Sequence, residues 1–140
     1  MVDYRFSTSL HIMLALAYMV RRDSERLVSS SELASSTKSN PTLIRQLLVP
    51  LNEAGLIKTY RGKKGGVALA KDAKEVSLKQ IYEASFNSKL MSSRGVGNEN
   101  CPVGSNIHCV FDHVMGQMED VLMSHLNDKN LAELLETFIK

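Results

Sequence analysis

The sequence predicts a mainly α-helical chain with one small β hairpin and a long helix in its second half. Three observations carry this. First, Ser29-Ser30-Ser31-Glu32 and Asn40-Pro41 are two helix-start signals separated only by a short helix and the turn Lys38-Ser39-Asn40. Second, Ile57 to Leu69 is a pair of short strands around the glycine-rich, cationic tip Arg61-Gly62-Lys63-Lys64-Gly65-Gly66. Third, Ile107, Phe111, Val114, Met118, Val121 and His125 recur at alternating spacings of four and three, a coiled-coil-like seam.

In chain order, Phe6, Leu10, Met13, Ala17 and Val20 fall at helical spacing, so residues 6–20 form a helix with one apolar stripe that packs behind the pair. In the first helix of the pair, Glu32 to Thr37, Leu33 and Ala34 are the buried side, and Glu32 is placed to reciprocate the Ser29 cap. In the second, Asn40 caps and Pro41 takes the first helical position. Leu43, Ile44, Leu47, Leu48 and Leu51 then face inward, with Thr42, Arg45, Gln46 and Val49 outward. Pro50 removes a backbone bond and is expected to bend this helix, which Gly55 stops. Ser77 to Ser85 is a short helix with Leu78, Ile81 and Tyr82 inward. Phe86 to Pro102, rich in Asn, Ser and Gly, is expected to be a mobile loop. Val103 to Leu126 forms the long helix and Leu131 to Ile139 a final amphipathic one. The expected architecture is therefore a winged helix-turn-helix domain (1–85), a loop (86–102), and a dimerisation helix with a C-terminal helix (103–140).

The net charge of +2 hides an asymmetry. Residues 1–74 carry twelve Lys+Arg against six Asp+Glu, and residues 75–140 carry five against nine. A basic front half suits a polyanion. The longest apolar run, Ile12 to Val20, is too short to span a bilayer and is followed by Arg21-Arg22-Asp23, not by a cleavage site. No membrane role is expected, and a cytoplasmic location is.

Helix-turn-helix plus basic wing points to double-stranded DNA. Thr42 and Arg45 lie one turn apart near the start of the second helix, where Arg can bond guanine bidentately and Thr can meet a thymine methyl, while Gln46 suits adenine. Ser39, Asn40, Tyr60, Arg61, Gly62, Lys63, Lys64 and Gly65 complete the expected contact set, with the cations displacing counterions from phosphate. The bland alternative is a set of solvated polar positions and a solvated hairpin. The seam residues Ile107, Phe111, Val114, Met118 and Val121 predict a two-fold dimer presenting two recognition helices, unless the long helix folds back on its own wing domain. A competing function is a protein-interaction module, with the winged fold as an assembly platform.

Cys101 and Cys109 leave three readings open: ordinary thiols near a dimer interface, a redox switch through a disulfide or a sulfenic acid, or a metal or iron–sulfur site helped by His108 and His113. His11 and His125 fit helical packing. No nucleophile has an identifiable base, no carboxylates pair on one face, and the wing glycines lack phosphate-loop spacing, so no enzyme is expected.

Ser31-Glu32-Leu33-Ala34, Glu53-Ala54-Gly55-Leu56-Ile57, Arg61-Gly62-x-x-Gly65-Gly66-x-x-Leu69-Ala70 and Cys101-Pro102-Val103-Gly104 together resemble the Rrf2 family of bacterial winged-helix regulators. The resemblance covers nearly the whole chain. It implies a homodimeric transcription factor, often a repressor, that binds an imperfect palindrome. Cluster-binding members carry three closely spaced cysteines before the dimerisation helix, whereas this chain has two, eight residues apart. No cofactor or metal is therefore expected, and a thiol sensor, a protein-partner effector or no small effector remains.

Overall fold

The computed structural model describes residues 3–86 and 91–138. The chain forms two compact units, residues 1–87 with 127–140, and residues 88–126.

The first unit begins with α1 (Arg5–Arg22), whose buried residues are Ser9, Ile12, Met13, Leu16 and Ala17. The expected stripe is thus rotated by about one position: Phe6 and Leu10 are half-buried and Val20 is exposed. The helix is pressed on by the helices Ser30–Thr37, Pro41–Glu53, Leu78–Ser85 and Leu131–Phe138 and by the strand Gly66–Leu69, so its buried arc is broader than one four-three row. α2 (Ser30–Thr37) starts at Ser29, whose hydroxyl accepts the Glu32 N–H, and buries Leu33 and Ala34. The Glu32 carboxylate is held by the Arg26 guanidinium at 3.1 Å. α3 (Pro41–Glu53) starts at Asn40, whose side-chain oxygen accepts the Thr42 N–H at 2.7 Å. It buries Ile44, Leu47, Leu48 and Leu51, but Leu43, expected inward, stands 40% exposed, at the edge of that face. The helix runs through Pro50 without ending.

Gly55 turns the chain into β1 (Ile57–Tyr60), which pairs antiparallel with β2 (Gly66–Leu69) in the register Ile57 with Leu69 and Tyr60 with Gly66. Val28 adds a bridge to Val67, with N–H···O distances of 2.8 and 3.0 Å. α4 (Leu78–Ser85) opens with a complete capping box between Ser77 and Gln80 and buries Leu78, Ile81 and Tyr82 as expected. Tyr82 stacks edge-on against Phe6, with ring centroids 5.1 Å apart, tying α4 to α1.

The second unit holds α5 (Pro102–Asn127) and the irregular segment before it. Of the expected loop, residues 87–90 lie outside the described residues. Its end, residues 97–101, is fastened at the helix start: the Gly97 N–H reaches the Gly104 carbonyl at 2.8 Å and the Cys101 N–H reaches that of Asn98 at 3.1 Å. A Cβ on Gly104 would meet the Asn98 backbone at 2.9 Å, so this close approach requires glycine there.

α6 (Leu131–Phe138) belongs to the first unit, which differs from the expected grouping with the long helix. The Leu131 N–H bonds the Val76 carbonyl at 2.9 Å and the Leu78 N–H bonds that of Lys129 at 3.0 Å. Leu131 and Leu135 are buried. The expected last residue of this helix, Ile139, lies outside the described residues.

Candidate nucleic-acid interface

Local sequence explains why α3 can present its N-terminal half. Asn40 and Pro41 start the helix sharply, and the leucines on one side anchor it. Thr42, Arg45 and Gln46 are consequently all exposed, as expected, and Val49 is 55% exposed beside them. The Arg45 guanidinium has no carboxylate within ion-pair distance among the described residues. Two of the predicted contact residues already have structural work: the Asn40 oxygen caps α3, and the Ser39 hydroxyl is bonded to that of Thr37.

The wing tip is a tight turn closed by the Gly65 N–H on the Gly62 carbonyl at 3.0 Å. A Cβ on Gly65 would collide with the Tyr60 carbonyl oxygen and the Arg61 backbone, so the turn closes this tightly only with glycine. Arg61, Lys63 and Lys64 are all exposed, and Tyr60 is half-exposed at the hairpin's end. None of these cations has an acidic partner among the described residues, whereas Arg5, Arg21, Arg26 and Lys79 do. The basic excess of the front half is therefore left uncompensated on the helix-turn-helix and wing.

In the second unit, Ile107, Val114, Met118 and Val121 are exposed, and Val103 and Val110 continue their row. Phe111, expected in that row, is half-buried, on the side of α5 where Met115 and Leu126 are buried. The uncovered stripe thus runs Val103, Ile107, Val110, Val114, Met118, Val121. Cys101 stands at the start of α5, where the Gly104 and then the Val103 backbone N–H hold its thiol below the usual range. Cys109 is exposed, its Sγ 3.3 Å from the His108 Nε2. It lies on the polar side of the helix.

The profile of the Rrf2 family, described as an iron-dependent transcriptional regulator, matches residues 2–137. The chain belongs to the Rrf2 family. Among its curated relatives is YwnA of Bacillus subtilis, named as an HTH-type transcriptional regulator, 27% identical over 96% of this chain and 97% of YwnA. The HTH-type transcriptional regulator IscR of Cereibacter sphaeroides is 24% identical over 94% of this chain and 83% of its own. Among solved structures, CymR, the global cysteine regulator of B. subtilis, shares the fold with a TM-score of 0.66 at 20% identity, covering 98% of this chain and 97% of CymR. The chain is accordingly an Rrf2 transcriptional regulator with a winged-helix DNA-binding fold.

The iron in the family's description is not matched by a donor set among the described residues of this Rrf2 chain. Eight helical residues separate the two sulfur-bearing positions by about 12 Å along the axis of α5. No group of three or more His, Cys, Asp or Glu side chains converges among the described residues. The same distance corrects one expectation, since an intrachain Cys101–Cys109 disulfide needs Cα atoms within about 7 Å. It cannot form while the first two turns of α5 are intact. No described helix is long and apolar enough to cross a membrane.

Sequence inspection missed Val103 as a member of the uncovered stripe, while Val110 was legible as a residue that widens the apolar surface of the long helix. The signal for Val103 was present, since it lies four residues before Ile107.

Proposed function

We propose that this Rrf2 regulator acts in the cytoplasm as a homodimeric repressor, docking α3 of each chain in successive major grooves of an imperfect palindrome. Thr42, Arg45 and Gln46 read base edges, while Arg61, Lys63 and Lys64 contact phosphate, with Tyr60 and the glycines allowing close approach. The observation that carries this reading is the unpartnered state of these cations beside an exposed, capped helix. Dimerisation is supported by the apolar stripe on α5, which places six hydrophobic side chains in water on an isolated chain.

A thiol response fits Cys101 better than a disulfide between the two cysteines. Its thiolate, favoured by two backbone N–H groups, can attack a peroxide O–O bond to give a sulfenic acid and hydroxide. The product loses the charge that the helix start stabilises.

Selection of genomic fragments bound by reduced and by peroxide-treated protein tests the whole reading. Inverted half-sites about 10 base pairs apart are expected with reduced protein. Lys63→Ala should weaken binding to every fragment and lower the salt slope by about one unit per lost contact. Binding that does not change with salt would point instead to an assembly module.

A further inference from the structure

Lys38 is the sole non-glycine residue with a positive φ among the described residues, at φ 53° and ψ 45°. It closes α2 in the left-handed conformation: its own N–H reaches the Ser35 carbonyl, and the Ser39 N–H returns to the Ala34 carbonyl at 2.9 Å. Glycine or asparagine makes this closure at lower conformational cost. The helix ends compensate only in part. A cation is favoured at the C-terminus of α2 but disfavoured at the N-terminus of α3, whose cap Asn40 is two residues away. The side chain is exposed, and no described carboxylate lies within ion-pair distance of it. A strained position thus holds a long, exposed cation with no carboxylate partner among the described residues.

We propose that Lys38 is a phosphate anchor for the recognition helix, an additional DNA-contact residue at the turn. This rests on the docking of α3 described above. Two residues span at most about 7 Å, so the Lys38 ammonium, on its four-carbon stem, reaches the flank of the groove that the start of α3 enters. A point charge there tightens binding to every sequence and discriminates among none. It also fixes how deeply Thr42 and Arg45 approach the bases.

The test uses the intact protein, a random-sequence duplex, and fluorescence anisotropy across a salt titration, with thermal melting alongside. Lys38→Gly should lower the salt slope by about 0.9 per bound chain and weaken binding at about 0.1 M salt by roughly eight-fold per chain. Its Tm should hold or rise by about 3 °C, because the left-handed strain is relieved. Lys38→Asn, also tolerated in this conformation, should reproduce the DNA defect, and Lys38→Arg should restore the slope. Unchanged slope and affinity in Lys38→Gly and Lys38→Asn would overturn the anchor while leaving the docking intact. A fall in Tm without a change in slope would do the same and assign Lys38 to the α2 dipole. A wild-type protein with no salt-dependent binding would overturn the docking itself, a result distinct from either.

Discussion

Placing a carboxylate in the middle of the α5 stripe gives the most direct measure of whether that stripe joins two chains. Val114 is 47% exposed, so covering it in a dimer gains about half of a buried valine, roughly 1 kcal/mol. Val114→Asp forfeits this and adds an unpaired carboxylate inside an apolar seam, at least about 2 kcal/mol more. A two-fold interface incurs both losses twice, about 6 kcal/mol in all, which is roughly ten-thousand-fold in the dimer dissociation constant. A nanomolar dimer would become monomeric at ordinary working concentrations. Sedimentation velocity over a dilution series reads this directly, with circular dichroism confirming that the variant is folded. His113→Asp, the exposed neighbouring position on the polar side, is the control and should leave assembly unchanged. A folded Val114→Asp that sediments as the wild type does would show that the stripe is not the joint.

Arg45→Ala should cost roughly 1–3 kcal/mol in binding to the preferred site and relax selection at one base pair, as read by competition among single-base variants; unchanged preference would refute major-groove docking of α3. Asn40→Ala removes the cap on the Thr42 N–H and should cost about 1 kcal/mol, a Tm fall of about 3 °C. Asn40→Asp keeps the cap and should hold the Tm while weakening DNA binding, because it adds an anion at the docking face. The depressed Cys101 thiol should lose its proton at lower pH than an ordinary one, so alkylation in a Cys109→Ser background should reach half its maximal rate at lower pH than alkylation of an unstructured cysteine peptide does. A midpoint no lower than the peptide's would remove the case for a primed thiol.

Most of the docking unit was legible because its signals are local. Ser29, Asn40-Pro41 and Ser77 each satisfy helix-start N–H groups with side chains in the same few residues, and the wing turn is written in its glycines. Where tertiary packing decides, the four-three pattern was a poorer guide. The buried arc of α1 was displaced by the five elements that pack against it, and Leu43 fell at the margin of the α3 core. The left-handed conformation of Lys38 has no sequence signature at all, since a glycine or asparagine is what such a turn ordinarily announces. The return of α6 to the first unit depends on backbone bonds at Val76, Leu78, Lys129 and Leu131, which no side-chain pattern encodes.

That return makes the winged-helix unit discontinuous along the chain. Leu131 and Leu135 complete its interior, yet a ribosome reaches them only after all of the long helix has been synthesised. A fragment cut near residue 86 would leave the sockets of those leucines open to water and the Val76 and Leu78 backbone groups without their mates. If α5 joins two chains and α3 docks in DNA as proposed, the docking unit and that joint are completed together during translation, since the last segment of the first unit is made only after α5.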